Sequence, residues 1–137
     1  MKQKFSMAWN SSRQVRKQRK FRARAPLHIR HKLMSAKLSK ELRKKHNIKS
    51  LPIRNGDEIK VMKGKFRRKS GRVNKVNLKK LKVAVEKLQI QKKDGTKVDV
   101  WFRPSNLLIT DLNMDDKKRI KFTEIKSTGK EERKNVP

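Results

Sequence analysis

The chain has 137 residues, 42 Lys and Arg against 12 Asp and Glu, and a net charge of +30 at pH 7; a field of that size opposes compaction until a polyanion neutralises it. Nucleic acid is the default polyanion, since each phosphate neutralised releases condensed counterions, and one domain is the natural count at this length. The absence of cysteine excludes disulfides and thiolate metal sites, and no apolar run exceeds three residues, too short for a membrane span or a signal-peptide core.

Residues 1–50 form a basic arm, with 17 basic side chains and a single acid, Glu41. Ser11 and Ser12 are candidate caps for a helix through Arg22 whose large apolar residues are only Val15 and Phe21, too few for a helix that stands alone. Pro26 suits a first helical position. Ile29, Leu33 and Ala36 then recur at i, i+4 and i+7, which predicts a short helix with a narrow apolar stripe. Ser39 is the expected cap of a further helix through His46, with Glu41 in its first turn and Lys44, Lys45 and His46 in its last, an order that complements the helix dipole. Pro52 closes the arm.

Residues 51–112 hold 20 of the 33 Phe, Ile, Leu and Val, so the compact module lies here and the flanks lack the apolar surface to offset their ordering entropy. The hydrophobic period changes from 3.6 to 2. Ile59 and Val61 alternate with charged neighbours, and Gly64 to Gly71 reads as a turn region. Val73 opens a second strand with an expected bulge near Asn74. Leu81, Val83 and Val85 alternate, as do Leu88 and Ile90. Asp94-Gly95 is a hairpin signal. Val98, Val100 and Phe102 share one strand face, with Trp101 on the other, and Pro104 to Asn106 turns the chain into a last strand from Leu107 to Leu112. Five short strands in some sixty residues predict a mainly β fold, a small closed barrel. In residues 113–137, Asn113 is the expected cap of a short helix, with Asp115 and Asp116 at its start and Lys117, Lys118 and Arg119 beyond; the tail after Phe122 is expected to be disordered.

The stretch from Ile53 to Val73 resembles the KOW motif: Gly56-Asp57, the strand residues Ile59 and Val61, Gly64 at a turn, the basic run Lys65 to Lys69, then Gly71 and Val73. Residues 26–61 and 92–113 are similar to the archaeal and eukaryotic form of the universal large-subunit ribosomal protein family numbered twenty-four in bacteria and twenty-six in eukaryotes, and the resemblance covers about residues 10–122. Arg103-Pro104-Ser105-Asn106-Leu107 stands where that family usually has a His-Pro-Ser-Lys-Val-like turn. The resemblance implies an SH3-like five-stranded barrel with a basic helical N-terminal arm. It also implies a structural role in the large subunit, bound to the 5′ region of its rRNA early in assembly, near the rim of the peptide exit tunnel. Implied partners are large-subunit rRNA, neighbouring ribosomal proteins and nascent-chain factors at the tunnel, with no membrane insertion. The implied location is the cytoplasmic ribosome, and the nucleus or nucleolus during assembly in a eukaryote.

The residues expected to carry binding fall in two groups. From Lys63 to Arg72 the chain has six basic side chains, Lys63, Lys65, Arg67, Arg68, Lys69 and Arg72, in ten positions. A tight turn there makes them diverge toward different phosphates, while Phe66 either stacks on an unpaired base or packs back on the barrel. In the arm, Arg13, Arg16, Lys17, Arg19, Lys20, Arg22, Arg24 and Arg30 form a basic track that orders along RNA; Arg16 to Lys20 also fits a nuclear-localisation cluster. Arg103 adds a further cation, and Trp9 and Trp101 are candidate anchors. His28 and His31 have helical spacing but no acidic neighbour, so no metal or other cofactor is expected. Gly64, Lys69 and Ser70 lack the Gly that a phosphate-binding loop places before its Lys-Ser pair. The acids sit in adjacent pairs (Asp57-Glu58, Asp115-Asp116, Glu131-Glu132) that diverge, and no serine sits in a nucleophile elbow, so no catalysis is expected. A KOW module of transcription elongation and a chromatin-like architectural protein are the competing readings.

Overall fold

The computed structural model describes residues 5, 6, 12–116 and 118–120. The expectations for Ser11, Trp9, Lys117 and the tail beyond residue 120 lie outside them. The first helix, α1 (Val15–Arg24), buries none of its residues, as its composition predicts. Ser12 lies two residues before its Gln14 N-cap and accepts from the Gln14 N–H at 3.2 Å through its hydroxyl. The second helix, α2 (Leu27–Leu33), begins one residue later than expected, with Pro26 as its N-cap.

Ala36 is not helical. The second helix stops at Leu33, and Ser35–Leu38 forms strand β1. Ile29, Leu33 and Ala36 match a helical stripe, but Met34, Ala36 and Leu38 also alternate; all three of these are buried, whereas of the stripe Leu33 is exposed. Burial against partners elsewhere decides between the two periods: β1 pairs antiparallel with β2 (Ser50–Pro52), Ala36 opposite Leu51, and parallel with the final strand, Leu38 opposite Ile109. Between them runs α3 (Lys40–His46), whose Ser39 cap accepts from the Leu42 N–H at 3.3 Å. Asn47 ends it in the left-handed region, φ 49°, which Asn tolerates better than most residues.

The five expected barrel strands are β3 (Glu58–Val61), β4 (Ser70–Asn77), β5 (Lys82–Gln91), β6 (Lys97–Phe102) and β7 (Leu107–Asp111), with a 3-10 turn at Pro104–Asn106 before the last. Among the described residues they make, with β1 and β2, a seven-stranded sheet in the order β2-β1-β7-β3-β4-β5-β6. The fold is mainly β and of the small SH3-like kind. The expected irregularity near Asn74 is present, since the β4–β5 register shifts between Val73 and Lys75. The two runs expected at 81–85 and 88–90 are one long strand. Its pairing with β6 shifts between Ala84 and Gln89, and Lys87 sits at φ 62°. That bulge resets the alternation, so Val83 and Val85 before it and Leu88 after it all reach the core. One core results, with Leu38, Leu51, Ile59, Val61, Val85 and Ile109 at its centre and Met34 of the arm among its members.

Candidate nucleic-acid interface

The β3–β4 loop is a rigid platform because its ends are tied in three ways. Val61 N–H donates to the Lys69 carbonyl at 2.8 Å, Arg68 N–H to the Val61 carbonyl at 2.8 Å, and Met62 N–H to the Asn106 carbonyl at 2.8 Å. The backbone turns at Gly64, φ 91°, and at Arg68, φ 71°. Gly71 then lets β4 approach β5: an added Cβ would lie 2.9 Å from Val85 Cγ1 and 3.0 Å from the Glu86 carbonyl oxygen. Phe66 is half-buried, meeting Phe102 edge-on with centroids 5.8 Å apart, and Lys69 Nζ sits 5.5 Å from the centre of the Phe66 ring. Of the two alternatives for Phe66, this is the packed one. Around that anchor Lys63, Lys65, Arg67, Arg68, Lys69 and Arg72 are exposed, as is Arg103 beside the 3-10 turn.

The first helix presents charge without a core. Arg13, Arg16, Lys17, Arg19, Lys20, Arg22 and Arg24 are all exposed, and Arg16, Lys20 and Arg24 fall on one helical stripe at i, i+4 and i+8. Phe21 touches Phe5, with ring centroids 5.0 Å apart. Arg30 is used differently. Its Nε donates to the Ala25 carbonyl at 2.8 Å and an Nη to the Ala23 carbonyl at 2.5 Å. Those carbonyls belong to the end of α1, where helices leave acceptors without intrahelical donors, so Arg30 braces the elbow between α1 and α2. His28 is exposed and His31 half-buried on α2, and Trp101 keeps 38% of its surface exposed.

Among the described residues only two ion pairs form, Arg54–Asp116 and Arg119–Asp57. Neither involves the loop or α1, and residues 1–40 contain no acid at all. The cations of both groups therefore have no carboxylate neutralising them among the described residues.

Asp57 has a structural task. It is fully buried, and the Arg119 guanidinium grips it at both oxygens, Nη1 to Oδ1 at 2.6 Å and Nη2 to Oδ2 at 2.7 Å. Its carboxylate also accepts from the Arg54 N–H at 2.8 Å and the Asn113 N–H at 3.1 Å. Arg119 goes on to donate to the Asn113 and Pro52 carbonyls at 3.1 and 2.9 Å. One buried contact thus joins β2, the Gly-Asp turn and the C-terminal segment. Gly56 makes room for it at φ 84°, where a Cβ would stand 2.7 Å from Asn113 Nδ2. Local sequence signals place Arg119 only in the later part of a short helix; the one hint of this role is an acid just before a buried strand, which needs a cation from somewhere. The expected Asn113 cap is also displaced. Asp116 Oδ1 accepts from the Lys118 N–H at 2.9 Å, whereas Asn113 folds a local turn by accepting from the Asp115 N–H at 3.0 Å. The Arg54 guanidinium donates to Asp116 at 2.8 Å and, with the Lys118 N–H, holds that carboxyl below its ordinary value.

The family model for the ribosomal proteins called L26 in eukaryotes and, under the number twenty-four, their archaeal counterparts matches residues 12–126. The chain is also similar to the large ribosomal subunit protein uL24 of Korarchaeum cryptofilum (strain OPF8), 45% identical over 116 residues, which are 85% of this chain and 88% of that relative.

Proposed function

The chain belongs to the family of eukaryotic L26 ribosomal proteins and their archaeal counterparts, and from that premise we propose that it binds large-subunit rRNA through the β3–β4 loop and the basic arm. It is a structural component of the large ribosomal subunit and not an enzyme. The observation that carries the rRNA reading is the set of exposed cations on the loop and α1 that no carboxylate of the described chain neutralises. Phosphates neutralise them, and counterion release supplies the affinity. Selectivity comes from a fixed loop shape meeting a folded RNA surface rather than from reading a base sequence.

Phe66 serves this interface by pinning the loop to the barrel, with its accessible surface left for a base. Arg30 serves it by aiming α1. Family membership supports three further readings: a site in the 5′ region of the rRNA, entry early in assembly, and a position near the tunnel rim beside neighbouring ribosomal proteins and nascent-chain factors. It works in the cytoplasmic ribosome, and in a eukaryote it passes through the nucleus first, with Arg16 to Lys20 as the import signal. Quantitative sedimentation with chemical footprinting tests the core of this. The chain should co-migrate with large subunits and protect a discrete 5′ segment of the rRNA; a chain that stays free, or protects nothing, overturns it.

A further inference from the structure

A cleft between α2 and the C-terminal turn is lined by neither the β3–β4 loop nor α1. Its volume is about 580 Å³, within the ~300–1,000 Å³ typical of sites that enclose a small organic group. Leu51 and Pro52 of β2 give it an apolar lining, His28, His31 and Lys32 border it from α2, and Lys118 borders it from the C-terminal turn. Its one carboxylate, Asp116, is held by Arg54. Lys32 and Lys118 form no ion pair among the described residues, although the Lys118 ammonium also acts on Asp116. Arg119 also borders the cleft; it is 7% exposed, and its Nε–H has no hydrogen-bond partner among the described residues.

Two aromatic imidazoles, an apolar lining, two ammonium groups outside any ion pair and a buried donor lacking an acceptor suit a ligand with a flat face, acceptor edges and a phosphate. We propose that the cleft holds one unpaired nucleotide of the large-subunit rRNA, its base against Leu51, Pro52 and the imidazoles and its phosphate met by Lys32 and Lys118. Single-stranded RNA is recognised in this way, with splayed bases stacked on aromatic side chains that include His. A bare phosphate would leave the apolar lining unused. The proposal rests on the rRNA reading and adds to it a contact that neither the loop nor α1 supplies.

Ultraviolet cross-linking of intact large subunits, followed by mass spectrometry of nucleotide-bearing peptides, is the direct test. A nucleotide adduct is expected within residues 27–32 or at Lys118. Adducts confined to residues 63–69 and α1 would overturn the cleft while leaving the rRNA reading intact, whereas a chain missing from the subunit defeats that reading and the cleft with it. Cross-links from the cleft to an acidic segment of a neighbouring protein, or to this chain's own C-terminal residues, also overturn it. Full-length variants give an independent measure against rRNA. His28→Ala with His31→Ala should weaken binding roughly tenfold at an unchanged salt slope, as loss of stacking on one base does. Lys32→Ala with Lys118→Ala should lower the log–log slope by about 0.7–0.9, the contribution of the one phosphate they share. Wild-type affinity and slope in both pairs would sink the proposal.

Discussion

The β3–β4 loop and α1 carry the same kind of charge on opposite kinds of support. The loop is tied to β3, to the 3-10 turn and, through Phe66, to the core, so the backbone that carries its cations is fixed before any partner arrives. The first helix buries nothing and is steadied at its C-terminal end by Arg30. A preorganised loop loses little freedom on binding, while a helix without a core must be ordered by its partner. The loop is therefore suited to shape selectivity, and the arm to affinity that depends steeply on salt.

The largest effect expected from this contrast comes from deleting residues 1–24. The seven exposed Arg and Lys of residues 13–24 correspond to a slope decrease of about 5 in log affinity against log salt if each meets a phosphate. Barrel melting should not change, because α1 contributes nothing to the core; a fall in melting temperature would mean the arm is part of the scaffold. Next in size is Asp57→Ala, which strands the buried Arg119 guanidinium and should cost about 3–5 kcal/mol in chemical denaturation. The same change should weaken loop binding more than arm binding, since only the loop depends on the barrel. An Asp57→Ala chain of native stability would break the comparison at its scaffold end.

Replacing Arg67, Arg68 and Lys69 together by Ala should flatten the salt dependence by about two units, at roughly 0.7–0.9 per contact. An unchanged slope would mean that the loop faces solvent in the ribosome. Arg30→Gln sharpens the contrast further. As a brace it should lower affinity with little change in slope, because α1 loses its direction and keeps its charges; a slope loss of about 0.7–0.9 would make Arg30 itself a phosphate contact. The smallest effect is acid dependence. The carboxyl of Asp116 is held below its ordinary 3.8, first by the Arg54 hydrogen bond, so whatever stability the pair adds is present above that value and is lost as pH falls through the lowered one. Asp116→Asn should therefore melt slightly lower than wild type at neutral pH, and the two curves should converge in strong acid.

Much of this was legible along the chain. Alternation at Ile59 and Val61, the Asp94-Gly95 hairpin and the bulge near Asn74 are local signals, since side-chain period and turn chemistry act over a few residues. So is the Ser39 cap. The exposed cations of the loop and α1 were legible for another reason: a basic run with no acid nearby can hardly be neutralised within its own segment. Period alone could not choose between helix and strand at Ala36, where both patterns fit and a distant β7 decided. Nor could it reveal that Phe66 turns inward onto Phe102, or that Lys87 resets the phase of β5.

The amino-acid order thus determined the charge, the strand-rich centre and the segments that carry cations, because each depends on composition or on neighbours a few positions apart. Tertiary structure decided that residues 35–38 join the sheet, that Arg30 braces the end of α1, and that Arg119 crosses 62 positions to neutralise Asp57. Contacts of that kind form only when chain closure brings a buried acid and a distant cation together. The desolvation that makes the pairing obligatory does not exist until the core has closed around it.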